Sequence, residues 1–253
     1  MKIGLFFLLL CSSYSYAHDI ALVSQHIAIK KQHQSAWQHD VLARAVVSRK
    51  FDFGLQGTYL ERFNRHESRG GAFAMYHLTH ELTIEARYLK GKDENDILPQ
   101  DEYNLTAYYA LTEGFTPFVN YRDIKYSMTK LHTLNLGLEI EKFPNFIIIP
   151  QIMGGKATFD QPAQTKNVHS LGLKVMYYRE KQYSLFAFGY QGKEAAQGII
   201  GQSNIVIDTL TGGMGAGYFI TPNIRSELTV DHTDYQEINN QFVTTTLNLR
   251  WIF

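Results

Sequence analysis

Polar and apolar side chains alternate one by one over the last dozen residues of this 253-residue chain, and the alternation recurs along its length. Val243, Thr245, Leu247, Leu249, Trp251 and Phe253 fall on one side of an extended segment; Phe242, Thr244, Thr246, Asn248 and Arg250 fall on the other. Successive side chains of a strand point to opposite faces, so a period of two fixes a strand with one mostly apolar and one mostly polar surface. Leu82, Ile84, Ala86 and Tyr88 interleave with Thr83, Glu85 and Arg87 in the same way. Leu134, Leu136, Leu138 and Ile140 interleave with Thr133, Asn135, Gly137 and Glu139, and Ile224, Ser226, Leu228 and Val230 with Arg225, Glu227, Thr229 and Asp231.

Up to fourteen such segments are separated by polar turns: 20–30, 37–48, 52–63, 69–78, 81–90, 103–112, 115–125, 131–141, 146–156, 167–178, 182–192, 206–219, 222–233 and 240–253. Connections alternate between short ones (48–51, 78–80, 112–114, 142–145, 179–181, 221–223) and longer ones (65–68, 91–102, 157–166, 193–205, 233–239). Short turns at one end and longer loops at the other are the mark of a transmembrane, antiparallel up-and-down β-barrel. The expected fold is therefore all-β, with about fourteen strands, or twelve if the first hairpin is misassigned. An even count brings both termini to the same side. Such a barrel also pairs every backbone polar group, as hydrocarbon demands.

Composition excludes other classes. Lys plus Arg equals Asp plus Glu at 24 each, so no global charge recruits nucleic acid. The 16 Tyr and 16 Phe sit in short alternating segments with no 18-residue apolar run, which excludes a helical membrane protein. The same aromatics would also suit the interior of a soluble β-barrel or sandwich. Two interfacial girdles are expected instead, one at Phe115, Phe143, Phe146, Trp251 and Phe253, the other at Tyr59, Phe63, Tyr103 and Tyr190. Lys2, the apolar run 3–11 and Ser15-Tyr16-Ala17 read as a signal peptide over 1–17, leaving a single barrel domain over 18–253. Leu8-Leu9-Leu10 before Cys11 lacks the small residue expected at a lipid-modification site. Cleavage removes the one cysteine, and with it any disulfide or thiol chemistry.

A lone Arg or Lys facing lipid at midplane costs about 2–4 kcal/mol, so charged members of the alternation belong inside. The expected lumen-lining set is Arg44, Arg62, Glu85, Arg87, Arg122, Glu139, Arg225, Glu227, Asp231 and Arg250. Opposite signs on neighbouring strands would form an ion-pair lattice, whereas segregated signs would create a transverse field and a charge-selective pore. Gly212-Gly213-Met214-Gly215-Ala216-Gly217 has no helix after it to make a phosphate loop. It reads as a strand with a bare inner face, leaving room for bulky neighbours or sharp curvature. Pro117 and Pro150 each remove a ladder donor and predict local irregularity.

Sites for chemistry are sparse. His77 and His80 straddle a turn, where three-residue spacing needs further ligands to hold a metal. A cleaved amine at His18 would chelate copper only with additional ligands. Neither supports a cofactor. A lipid hydrolase would need Ser, His and an acid converging at the outer rim, and a protease paired Asp and Asp/His groups. Asp231 and adjacent His232 point to opposite faces, and Asp234 shares a face with His232 only if the strand continues.

Trp251-Ile252-Phe253 resembles the aromatic carboxy-terminus of bacterial outer-membrane barrels. The run Thr116-Pro117-Phe118-Val119-Asn120-Tyr121-Arg122-Asp123-Ile124-Lys125-Tyr126, the opening 18–62, Ser68-Arg69-Gly70-Gly71 and the closing 247–253 are similar to the YaiO family, small outer-membrane β-barrels of Gram-negative bacteria. The resemblance implies the cell outer membrane as location, with lipid and lipopolysaccharide as surroundings. It also implies Trp251 and Phe253 as the signal read by the barrel-assembly machinery. It brings no catalytic motif, and a link to polysaccharide passage only by association. A pore or export conduit is the expected function, with a plugged adhesive barrel or an outer-membrane hydrolase as alternatives.

Overall fold

The computed structural model describes residues 18–30, 34–62, 65–92, 98–160, 163–179, 182–195, 206–236 and 240–253. The signal-peptide segment and Phe63 lie outside these residues. Fourteen strands run in chain order: β1 (His18–Ile29), β2 (Gln34–Ser48), β3 (Phe51–Arg62), β4 (Arg65–His77), β5 (Leu82–Gly91), β6 (Asp101–Tyr109), β7 (Phe115–Lys125), β8 (Thr129–Ile140), β9 (Phe146–Asp160), β10 (Ala163–Arg179), β11 (Tyr183–Ala195), β12 (Val206–Thr221), β13 (Ile224–Tyr235) and β14 (Asn240–Ile252). Each pairs antiparallel with its chain neighbours, and β1 closes on β14 from Asp19 opposite Ile252 to Ile29 opposite Phe242. The Phe253 amide donates to the His18 carbonyl at 2.7 Å, sealing the seam at the end where β1 begins and β14 finishes. That end is called here the terminal end, and the opposite one the loop end.

Connections at the terminal end are short, and Gly114 takes a left-handed φ of 80° in one of them. At the loop end the expected long connections at 65–68, 157–166 and 233–239 give way to strand: β9 continues to Asp160, β10 starts at Ala163, and only 63–64 and 161–162 separate the hairpins. Thr158, Asp160, Thr165 and Asn167 make the outward face of these ends polar, which imitates a loop, while Ala157, Phe159 and Val168 are buried on the other face. Only 92–100 and 196–205 exceed five residues. The ladder between β8 and β9 is interrupted opposite Pro150, whereas Pro117 sits in unbroken register with Leu138. Register shifts fall instead at Val46/Ser48 and Phe219/Thr221.

The outward surface is apolar in its middle. Leu22, Val41, Leu55, Leu105, Leu134, Leu136, Ile152, Leu171, Leu173, Leu185, Met214, Leu228 and Leu247 are all exposed there. A soluble protein would bury such residues; a barrel in lipid presents them. Aromatic side chains flank this band: Phe53, Tyr76, Tyr109, Phe146, Tyr218 and Phe253 toward the terminal end, and Trp37, Tyr59 and Tyr103 toward the loop end. Tyr190 is not part of the girdle, because it alternates with outward Gly189 and Gln191 and its ring packs on Phe188 inside the barrel.

Candidate functional site: the barrel lumen

With strands about 4.8 Å apart and tilted by about 40°, a fourteen-stranded barrel carries its backbone about 14 Å from the axis. Side chains of ordinary reach leave central space unless they point straight at the axis. Several of the largest do not. Ideal Cβ atoms on Gly213 and Gly215 would lie 2.5 and 2.3 Å from the ring carbons of Phe188 and Phe186, and one on Gly172 2.1 Å from Tyr190. The bare inner face of β12 and the gap at Gly172 let these rings lie flat on the wall. Phe73 over Gly54 and Phe118 over Gly137 repeat the device.

All ten side chains of the expected lumen set lie on the inward face. Arg44 pairs with Asp52, Arg87 with Glu85 at 3.0 Å, Arg225 with Glu227 at 2.9 Å and Arg250 with Asp19 at 2.7 Å. Arg225 also donates to Ser184 Oγ at 3.0 Å. Arg122 reaches Glu102 at 2.9 Å, and Arg69 binds the same carboxylate at 2.6 Å. Asp231 hydrogen-bonds Thr244, while Glu139 feels Lys174, whose ammonium caps the Phe186 ring at 4.8 Å. Arg62 is buried at the loop end of β3, in the electrostatic field of Tyr235. The signs therefore mix: the ion pairs run along the wall, within a strand or across one or two neighbours, and among the described residues none spans the lumen. Partners at Asp19, Asp52, Arg69 and Glu102 escaped the sequence reading, although each stands on the polar side of its alternation.

Between the charged clusters runs a row of uncharged polar groups. Thr106, Asn120 and Asn135 are consecutive register partners across β6, β7 and β8; Gln151, Gly172, Tyr190, Thr211 and Thr233 continue as partners from β9 to β13. Asn120 Nδ2 donates to Thr106 Oγ1 at 2.7 Å and to Asn104 Oδ1 at 2.7 Å, and Asn135 Nδ2 to Gln151 Oε1 at 2.9 Å. Thr211 and Thr233 hydroxyls meet at 3.0 Å. Seven of these eight strands thus present an amide, a hydroxyl or a phenol at one level, Gly172 of β10 leaving a gap.

The two ends of the lumen differ. At the loop end the inward residues form a mainly apolar collar: Ile29, Ala36, Leu60, Leu89, Ile124, Phe159, Val168, Ile207 and Phe242 are at most 7% exposed, with the Glu67 and Glu102 carboxylates buried between them. Nearer the terminal end the Arg44, Arg225 and Arg250 side chains keep 28%, 31% and 38% of their surface. The 92–100 connection contributes to the collar. Leu98 packs against Ala36, Leu60 and Ile27, on the inner faces of β2, β3 and β1, so its side chain enters the mouth. Its backbone is held by the Leu98 amide, which donates to Glu67 Oε2 at 2.6 Å.

No convergent catalytic or metal constellation stands out. Among the described residues no three His, Cys, Asp or Glu side chains are grouped to hold a metal. His77 bonds Thr83 at 2.9 Å. Because β13 runs on to Tyr235, His232 and Asp234 do share the outward face, a correction to the expected loop start, but they form no ion pair.

No family model and no curated protein sequence matches the chain. Solved structures do. The CymD monoaromatic hydrocarbon channel has a TM-score of 0.64 at 10% identity, covering 97% of this chain and 90% of its own. A deltaS2 mutant of the TodX monoaromatic hydrocarbon channel has 0.61 at 10%, covering 94% and 88%. A bacterial polysaccharide outer membrane secretin has 0.58 at 12%, covering 94% and 98%. At these identities the likeness establishes the fold: a closed fourteen-stranded barrel of the outer-membrane type.

Proposed function

We propose that this chain is an integral outer-membrane conduit for hydroxyl-rich solutes, shut at its loop end in the conformation described. The carrying observation is the amide and hydroxyl row from Thr106 to Thr233. Neutral groups that both donate and accept suit polyhydroxylated molecules, and the wall-lying faces of Phe188 and Tyr190 offer the apolar contact that sugar rings use. Mixed-sign pairs above and below leave no net field to select ions. The likeness to a polysaccharide secretin agrees with this chemistry. The collar argues less for a hydrocarbon path, because buried carboxylates of Glu67 and Glu102 interrupt its apolar residues.

The exposed apolar band supports membrane placement, and the short turns support a periplasmic terminal end. The resemblance of 116–126 and 247–253 to the YaiO family belongs to the same proposal, as does Phe253 as the group read during assembly. Phe253→Ala is expected to lower the outer-membrane level of the chain; wild-type levels would remove that role.

The function is tested on the refolded chain in a planar bilayer. Conducting events are expected, and oligosaccharides such as maltohexaose should block them, with weaker block in Asn120→Leu. Conductance indifferent to every oligosaccharide, or a folded barrel silent even when the collar is loosened, would overturn the proposal.

A further inference from the structure

The geometry points to a binding site for the phosphorylated headgroup of an outer-leaflet glycolipid on the outward loop-end surface of β7–β11; this rests on the outer-membrane placement proposed above. Around β2–β7 the loop-end girdle is aromatic, with Trp37, Tyr59 and Tyr103 exposed and Tyr88 stacked on Tyr103 at 4.5 Å. On β8–β11 that girdle stops. In its place stand basic groups, at the first polar level beyond Leu134, Ile152 and Leu171.

Four lysines and two histidines face one another across three ladders. Lys125 lies directly opposite Lys130, His132 opposite Lys156, and His169 opposite Lys193. Like charges directly opposed across a ladder destabilise a sheet, so the Lys125–Lys130 pair is one that an anion between the strands would relieve. Acids meet one member of each pair: Asp123 reaches His132 at 3.2 Å, Asp208 reaches Lys193 at 3.7 Å, and Asp101 lies opposite Lys125. Lys130 and Lys156, near the centre, have no ion-pair partner among the described residues, and both are exposed.

A phosphorylated glycolipid fits both halves of this surface. Its phosphates would sit among the ammonium groups, and its acyl chains would run down the apolar strip beneath. A Cβ on Gly154 would meet nothing within 4 Å, so the strip also has an open shallow between Ile152 and Lys156. A lysine near an anionic membrane surface contributes enough that two of them correspond to about 30-fold in affinity, or about 2 kcal/mol.

Native mass spectrometry of the refolded barrel in neutral detergent tests the site. Bisphosphorylated lipid A, the same lipid stripped of phosphate, phosphatidylglycerol and inorganic phosphate serve as probes. Lipid A should bind at least tenfold more tightly than the other three, and Lys130→Gln/Lys156→Gln should weaken it about 30-fold without altering the heat-modifiable band. Equal binding of the stripped lipid or phosphatidylglycerol, equally tight inorganic phosphate, or an unaffected double variant would overturn the site. Failure of the membrane placement shows separately, as a chain that gives no heat-modifiable species in lipid bilayers.

Discussion

Leu98→Ala is the sharpest test of closure at the loop end. Leu98 is 5% exposed and lies against Ala36, Leu60 and Ile27; if the segment swings out, the same side chain enters water. Truncation to alanine therefore removes a transfer term that favours only the closed state, about 2 kcal/mol for most of a buried leucine side chain. The amide bond to Glu67 belongs to the backbone and survives the substitution. A shift of about 2 kcal/mol changes the ratio of closed to open by about 30-fold. Single-channel recording should show open probability rising by roughly that factor, up to saturation. Leu98→Met, which keeps the volume, should change it by less than about threefold. The strands are untouched, so the heat-modifiable band should stay where it is. An open probability for Leu98→Ala within about threefold of wild type, in a normally folded barrel, would refute the argument that Leu98 latches the mouth.

Glycine substitutions separate wall-lying rings from open surface. Gly215→Ala places a carbon 2.3 Å from Phe186 and 2.8 Å from the Leu228 carbonyl and should cost about 1–3 kcal/mol, whereas Gly154→Ala should be nearly neutral. The temperature at which the folded band converts on heating reports both. Glu102→Gln leaves Arg69 and Arg122 facing a neutral amide; because Arg122 is 43% exposed, the loss should fall near the low end of the buried-pair range, about 2–3 kcal/mol in urea unfolding, and be partly recovered by adding Arg69→Met. In the turn before β5, the Thr79 hydroxyl holds the Glu81 carboxyl below the usual carboxylate range. A depressed carboxylate adds stability above its unfolded pKa and loses it as pH falls through the folded one, so Thr79→Ala should raise the Glu81 titration midpoint followed by NMR. An unmoved midpoint would refute that assignment.

The strands were legible because each crosses the band with one charged or amide face, as Arg250 and Asn248 do on β14 or Glu85 and Arg87 on β5. The inward charges followed from the cost of placing them in lipid. Pair membership did not, since Glu102 joins Arg69 across an intervening strand, and such a contact depends on barrel curvature as well as alternation. Strand ends were read too early at Ala157 and Thr233, where polar residues on the outward face imitate a loop. The collar left a trace that went unused. Ile29, Leu60, Leu89, Ile124, Ile207 and Phe242 are apolar residues on the face that is otherwise polar, all within a few positions of the loop end. Six departures in the same sense are what a packed layer inside the barrel produces.

That layer changes how the rest of the interior is understood. A barrel filled throughout for rigidity would need bulky side chains aimed at the axis along its whole length. Here the large rings lie against glycines in the middle, and the arginines nearer the terminal end remain partly solvated. Buried apolar side chains concentrate at the loop end, where Leu98 adds to them, and the chain beside it is tied by the Leu98 amide to Glu67 and by the Gln100 amide to the Lys125 carbonyl. Space is kept below the collar by glycines at five ring contacts, at the expense of side-chain packing. A wall that keeps that space beneath a layer of buried side chains suits the conduit proposed above.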